Sequence, residues 1–241
     1  MAGGGRAGDG AVSGRGSAGA ASAAAGAAAA GAPQQYVGLV RGINVGGNNR
    51  ITMADFRAIF EGLGFSDVKT LLQSGNVVFA SDRPLALADV RAIEHAFETA
   101  AGFRAGFVVL SAAQFLSILD ANPLLAIGTD LSRLVVTFLP QPPAAAPAPD
   151  AAPPPDAAPA PDAGPAAAAA FDATSVELPD AASTLPEVFA AGPHAVYSWH
   201  PDGISNSRVP VSFWKQFGPV YTARNVNTAN KLAALLRART P

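Results

Sequence analysis

The chain has 241 residues, with 16 Lys or Arg against 18 Asp or Glu, and it contains no cysteine. That excludes disulfides, thiolate nucleophiles and thiolate-held metals, and gives secretion nothing to stabilise. No apolar run approaches the roughly 20 residues of a membrane span, so the expected setting is cytoplasmic with no membrane partner.

Residues 1–33 are almost wholly Ala and Gly. They offer no large side chains to offset the entropy of ordering a backbone, so the segment is expected to be a disordered extension, or to reflect a start codon assigned too early. It lacks the Leu, Ile or Phe of a working secretory core. The stretch Tyr36–Ile43 ("YVGLVRGI") is apolar and β-branched and predicts a strand. Met53, Phe56, Ile59, Phe60 and Leu63 then fall at helical spacing after Thr52 and Asp55, with Gly62 and Gly64 to stop the helix. "DVKTLLQSGNVVFA" predicts a hairpin over about 67–80. Leu87, Val90, Ile93 and Phe97 mark a second helix over 85–100, and "AGFVVL" (105–110) a further strand.

The order β-α-β-β-α-β is that of a ferredoxin-like arrangement, expected to span 34–110. A second, less regular set follows. "SAAQFLSILDANP" predicts a helix ended by Asn122-Pro123, and "SRLVVTFL" (132–139) a strand. Residues 140–170, rich in Ala, Pro and Asp, are expected to form a disordered, polyproline-like insertion. Beyond it, "TSVEL" and "HAVYSWH" predict strands, 211–217 a helix, 220–223 a short strand, and a last helix runs from an Asn227 cap to Arg239. The fold class expected is therefore α+β: two ferredoxin-like (α-β plait) subdomains packed together, the second built from 111–139 and 171–241. Both low-complexity blocks are expected to be dispensable for stability.

Gly42-Ile43-Asn44-Val45-Gly46-Gly47 satisfies the first half of a Walker-type phosphate loop, G-x-x-x-x-G-K-[ST]. Asn48 and Asn49 stand where the lysine and hydroxyl belong, so the groups that would hold the terminal phosphates and Mg²⁺ are missing. A turn needing positive φ explains the glycines, with an anion nest of backbone N–H groups as the alternative.

"VGLVRGINVGGNN", "LLQSGNVVFAS", "PDGISNSRV" and "TARNVNTANKL" occur in this order and together resemble the signature stretches of the bacterial family known as domain of unknown function 1697. The resemblance covers about 36–139 and 194–236 and implies an α+β fold of two ferredoxin-like plaits; it implies no activity. The family more often has a lysine at Asn48 and a tryptophan at Val226, so any contact made by those side chains is absent or altered here.

Three polar clusters are candidate binding residues. Arg41, Asn44, Gln73, Ser74 and Asn76 lie at the end of the first strand and in the hairpin turn, which neighbouring central strands bring near each other. Ser205, Ser207 and Arg208 form the second. Thr222, Arg224, Asn225, Asn227, Thr228 and Lys231 form the third, where a helix start adds free N–H donors. After Asp202 the chain has six Lys or Arg and no acid. That balance suits a small anionic or phosphorylated ligand, with Arg41 and Arg224 gripping it jointly by their planar forks. On this reading Arg224→Ala weakens binding and leaves the melting temperature nearly unchanged.

His95, His194 and His200 lack metal-ligand spacing, and the His194/His200 pair reads as incidental to a strand. Carboxylates are scattered, and no nucleophile motif is present. A catalytic role, a cofactor and an oligomeric state are left open by the sequence. An enzyme acting on a phosphate-bearing substrate, or a nucleic-acid-associated protein using the basic C-terminal face, are the competing readings. The latter is less favoured, because "VGLV" and "VVF" are apolar on both faces and leave no open stacking platform.

Overall fold

The computed structural model describes residues 1, 33–47, 49–141 and 176–239. Apart from edge residues, the expected N-terminal extension and the Ala/Pro-rich insertion lie outside them, as do Asn48 and the first two residues of the expected strand at 174–178.

The first half runs β1 (Gln34–Val40), α1 (Met53–Gly62), β2 (Ser66–Leu71), β3 (Asn76–Ser81), α2 (Leu87–Ala101) and β4 (Phe107–Ser111). Its strands form an antiparallel sheet in the order β2-β3-β1-β4, with Leu39 opposite Asn76 and Val40 opposite Phe107. Local chemistry sets the boundaries. The Thr52 hydroxyl accepts the Asp55 N–H at 3.0 Å to start α1, and Gly64 at φ 84° turns the chain after it. In the β2–β3 turn, Gly75 has φ 77°, and an added Cβ would collide with the Val40 side chain. Only glycine fits there, and the Gly75 carbonyl accepts from Val40 N at 2.9 Å.

The second half contributes α3 (Ala112–Asp120), β5 (Leu134–Phe138), α4 (Ala181–Thr184), β6 (Val188–Ala191), β7 (Ala195–Trp199), α5 (Val211–Lys215), β8 (Thr222–Asn225) and α6 (Val226–Arg237). These strands form a second antiparallel sheet, β6-β7-β5-β8, whose order repeats that of the first sheet when each is counted from its own first strand. Two sequence expectations need correction. The strand beside β7 is Val188–Ala191, while residues 176–178 carry no regular structure. The cap of the last helix is Asn225, whose Oδ1 accepts Thr228 N at 2.9 Å; Asn227 lies inside the helix.

Alternation in the central strands distributes the core. Tyr36 and Val40 of β1 face α1 and α2 with Phe56, Phe60, Phe79 and Phe97. Val37 and Leu39 face the other way, into a core shared by α3, α6 and one side of the second sheet. The far side of that sheet is covered by Val209, Phe213 and Phe217. Burying β1 and β3 on both faces explains their nearly continuous apolar runs. Tyr197 crosses the shared core, where its hydroxyl donates to the Ile118 carbonyl at 2.7 Å and burial pushes its pKa up to about 12. The described residues form a mixed α+β protein with two four-stranded antiparallel sheets and six α-helices. No helix among the described residues is long and apolar enough to cross a membrane.

Candidate functional site

The end of β1 and the start of β8 meet around a cavity of about 320 Å³. Arg41 and Val45 reach it from the glycine loop after β1, Ser74 from the β2–β3 turn, and Ile204 from a single 3-10 turn. Trp214, Tyr221 and Arg224 complete the wall from α5, the loop after it and β8. Arg41 and Arg224 thus open on one cleft, and among the described residues no carboxylate lines it.

The two arginines differ in what they have left to offer. Arg41 is exposed, and its guanidinium carbon lies 4.3 Å from the centre of the Tyr221 ring. Tyr221 in turn stacks on Trp214, with centroids 6.0 Å apart and planes at 14°. Arg41 therefore caps an aromatic ladder through its cation–π contact, and among the described residues it has no carboxylate partner. Arg224 is largely buried, and its fork is spent on the protein. Nε donates to Asn76 Oδ1 at 2.5 Å, and Nη1 to Thr222 Oγ1 at 2.6 Å and the Ala223 carbonyl at 2.8 Å. Nη2 donates to the carbonyls of Val40, Ser74 and Gly75 at 2.8–3.1 Å. All five N–H groups have acceptors, so a direct bidentate grip on a ligand, expected from the sequence, is not the geometry present. Burial pulls its pKa down to about 10, which leaves a cation at neutral pH whose acceptors are all neutral.

The other sequence-nominated residues divide between this cleft and the scaffold. The Asn76 amide donates to the Leu71 carbonyl and to Ser74 Oγ, so Asn76 and Ser74 shape the turn that receives Arg224. Asn44, at φ 56°, donates to the carbonyls of Ile51 and Gln73 and accepts from Ile51 N. It pins the glycine loop to the start of α1 and to the hairpin, and with Gln73 it lines a separate hollow of about 450 Å³. Gly42, Gly46 and Gly47 all take positive φ, as the turn requires. Asn225 is consumed as a cap, and the exposed Asn227 uses its backbone N–H on the Leu131 carbonyl at 3.4 Å.

Ser207 and Arg208 belong to a buried network on the far side of the second sheet. Glu187, 6% exposed, accepts from His200 Nδ1 at 2.6 Å, from the Ser207 hydroxyl at 3.1 Å and from Arg208 N at 3.0 Å. His200 Nε2 lies 2.8 Å from Ser198 Oγ. The Arg208 guanidinium turns to the Leu185 carbonyl and does not join the other two arginines. His200, which the sequence suggested was incidental, is fully buried and ties β7 to β6 and to the loop carrying Ile204. Sequence reasoning missed Glu187, and it missed Tyr221 and Trp214, whose only signal was the aromatic crowding of "FWKQFGPVY". Among the described residues, no group of three or more His, Asp or Glu is placed to hold a metal ion.

The geometry defines a mixed α+β protein with a basic, aromatic-walled cleft between two antiparallel sheets. Residues 34–159, more than half of the chain, match the family described as "Protein of unknown function (DUF1697)", and the chain belongs to that family. The motifs around Arg208 and Arg224 lie beyond the matched span. A solved structure of a conserved bacterial protein from Streptococcus pneumoniae is similar over 85% of this chain and 99% of that one, at 24% identity and a TM-score of 0.54. That likeness bears on the fold alone. No curated protein matches the chain.

Proposed function

We propose that this protein is a binding module for a small anionic or phosphorylated ligand, held in the cleft between its two sheets. The observation that carries the reading is the pairing of Arg41 and Arg224 on one cavity that contains no carboxylate. Arg224 supplies a fixed positive charge, while Arg41 keeps hydrogen-bond donors for the ligand. Binding is favoured over catalysis because the described lining residues include no histidine or carboxylate to move a proton. A nucleic-acid surface is disfavoured by how the C-terminal cations are used. Arg224 is half-buried with every donor used, Arg237 faces Asp120 at 4.0 Å, and Arg239 reaches Gln35. The repeated strand order supports reading the sheets as two ferredoxin-like plaits, 34–110 and 111–139 with 171–241. The absence of cysteine favours a cytoplasmic setting.

Isothermal titration with inorganic phosphate and pyrophosphate tests the reading. Wild-type protein should bind at least one of them, and Arg41→Ala should weaken that binding tenfold or more, since a charged hydrogen bond contributes about 1.5–3 kcal/mol. Because Arg41 is exposed, the melting temperature should hardly move. Equal affinity in wild type and variant would remove the cleft from the account.

A further inference from the structure

We infer that the ligand is a small aromatic anion, a flat apolar ring carrying a single anionic group, and not a bare inorganic ion or a polyphosphate. The inference rests on the anion-binding reading and narrows it.

Volume is the first argument. A cavity of about 320 Å³ falls within the range of roughly 300–1,000 Å³ typical of organic-ligand pockets, and an inorganic anion fills only a small part of it. The walls are the second. Beside the two arginines and the hydroxyls of Ser74 and Thr222, the cleft is bounded by Ile43, Val45, Ile204, Trp214 and Tyr221. Val45, on the glycine loop, is 71% exposed and Ile204, on the 3-10 turn, 49%. Apolar side chains that line a cleft while exposed to water are covered by a ligand with an apolar body, and left wet by phosphate alone.

Donor count is the third argument. Arg224 has no N–H left to give, so among the described residues lining the cleft Arg41 is the guanidinium with free donors. One fork holds one carboxylate or phosphate; a chain of phosphates needs further cationic donors, and beyond Arg41 the described lining adds only the hydroxyls of Ser74 and Thr222. The same guanidinium lies on Tyr221, itself stacked on Trp214, which forms a ladder of flat groups. A planar ring extends that ladder by stacking on the guanidinium, a surface that aromatic rings and nucleobases both recognise.

The test is titration of the full chain with inorganic phosphate, phenyl phosphate and 1-naphthyl phosphate, followed by calorimetry and tryptophan fluorescence. The aryl phosphates should bind at least tenfold more tightly than inorganic phosphate. Ile204→Ser and Val45→Ser, both at exposed positions, should shrink that advantage by weakening the aryl phosphates more than inorganic phosphate. If phosphate and phenyl phosphate bind equally and both depend on Arg41, the aromatic inference falls and the anion site stands. If none of the three binds, both readings fall.

Discussion

Nε of Arg224, on the last strand of the second sheet, donates to Oδ1 of Asn76, the first residue of a central strand of the first sheet, at 2.5 Å. Asn76 is completely buried, and Nη2 of Arg224 closes on backbone carbonyls of β1 and the hairpin turn. The arginine is thus a clamp between the sheets as well as a source of charge. Arg224→Ala leaves several buried acceptors unpaired and should cost about 3 kcal/mol or more. This reverses the expectation from sequence that the melting temperature would hold. At the size of this domain the loss corresponds to a drop of roughly 6 °C or more. Arg224→Lys should recover little, because a single ammonium cannot span those acceptors. Thermal melts of both variants measure it; an unshifted Arg224→Ala would show that the clamp is idle.

Gly75→Ala should be among the most damaging single substitutions. The new methyl meets the Val40 side chain and lies 3.0 Å from the Val40 carbonyl oxygen, at a φ of 77° that L-residues avoid. Strain and collision together should cost about 2–4 kcal/mol, read as a lower urea midpoint. Gly46→Ala, where nothing lies within 4 Å, meets only the backbone penalty and should cost about 1 kcal/mol.

Glu187 should be structural. It answers three donors from His200, Ser207 and Arg208 while nearly fully buried. Glu187→Ala should destabilise by about 2–4 kcal/mol and loosen the loop bearing Ile204. Hydrogen exchange at 200–209 reports the loosening, and protection equal to wild type would argue against it.

Asp89 provides a pH-dependent check. Its bidentate contact with Arg83, at 2.5 and 2.9 Å, holds its pKa below the usual carboxylate range, and it also accepts Ala86 N at 2.7 Å at the start of α2. A depressed folded-state pKa means stabilisation that is full above the unfolded value near 3.9 and lost as pH falls through the folded value. Asp89→Ala should cost about 1 kcal/mol at pH 7, a figure kept small by solvent screening, and the gap to wild type should close below about pH 4. A gap that persists in strong acid would point to packing instead of charge.

Much of the first half was legible because its signals are local. Phe56, Ile59 and Phe60 repeat at helical spacing, Ser74-Gly75 punctuates the hairpin, and β1 and β3 are apolar on both faces because both faces are covered. The second half was less legible. Strand β6 has four half-buried residues, too short to show alternation, and takes its place by pairing with β7. Asn225 and Asn227 are equally good caps by composition, and pairing of Asn225 with Val135 decided where the strand ends. Of the site, the approach of β1 to the hairpin followed from strand adjacency, and Arg41 and Arg224 do share a cleft. The distribution of Arg224's donors and the aromatic ladder depend on contacts between the two sheets, which no sequence period encodes.

The decisive measurement is a crystal structure of the protein soaked with phenyl phosphate. Density for the phosphate is expected within hydrogen-bond distance of the Arg41 guanidinium, with the ring between Val45 and Ile204 and the Arg224 contacts unchanged. Phosphate bound elsewhere, with the cleft holding only water at saturating ligand, would contradict that placement.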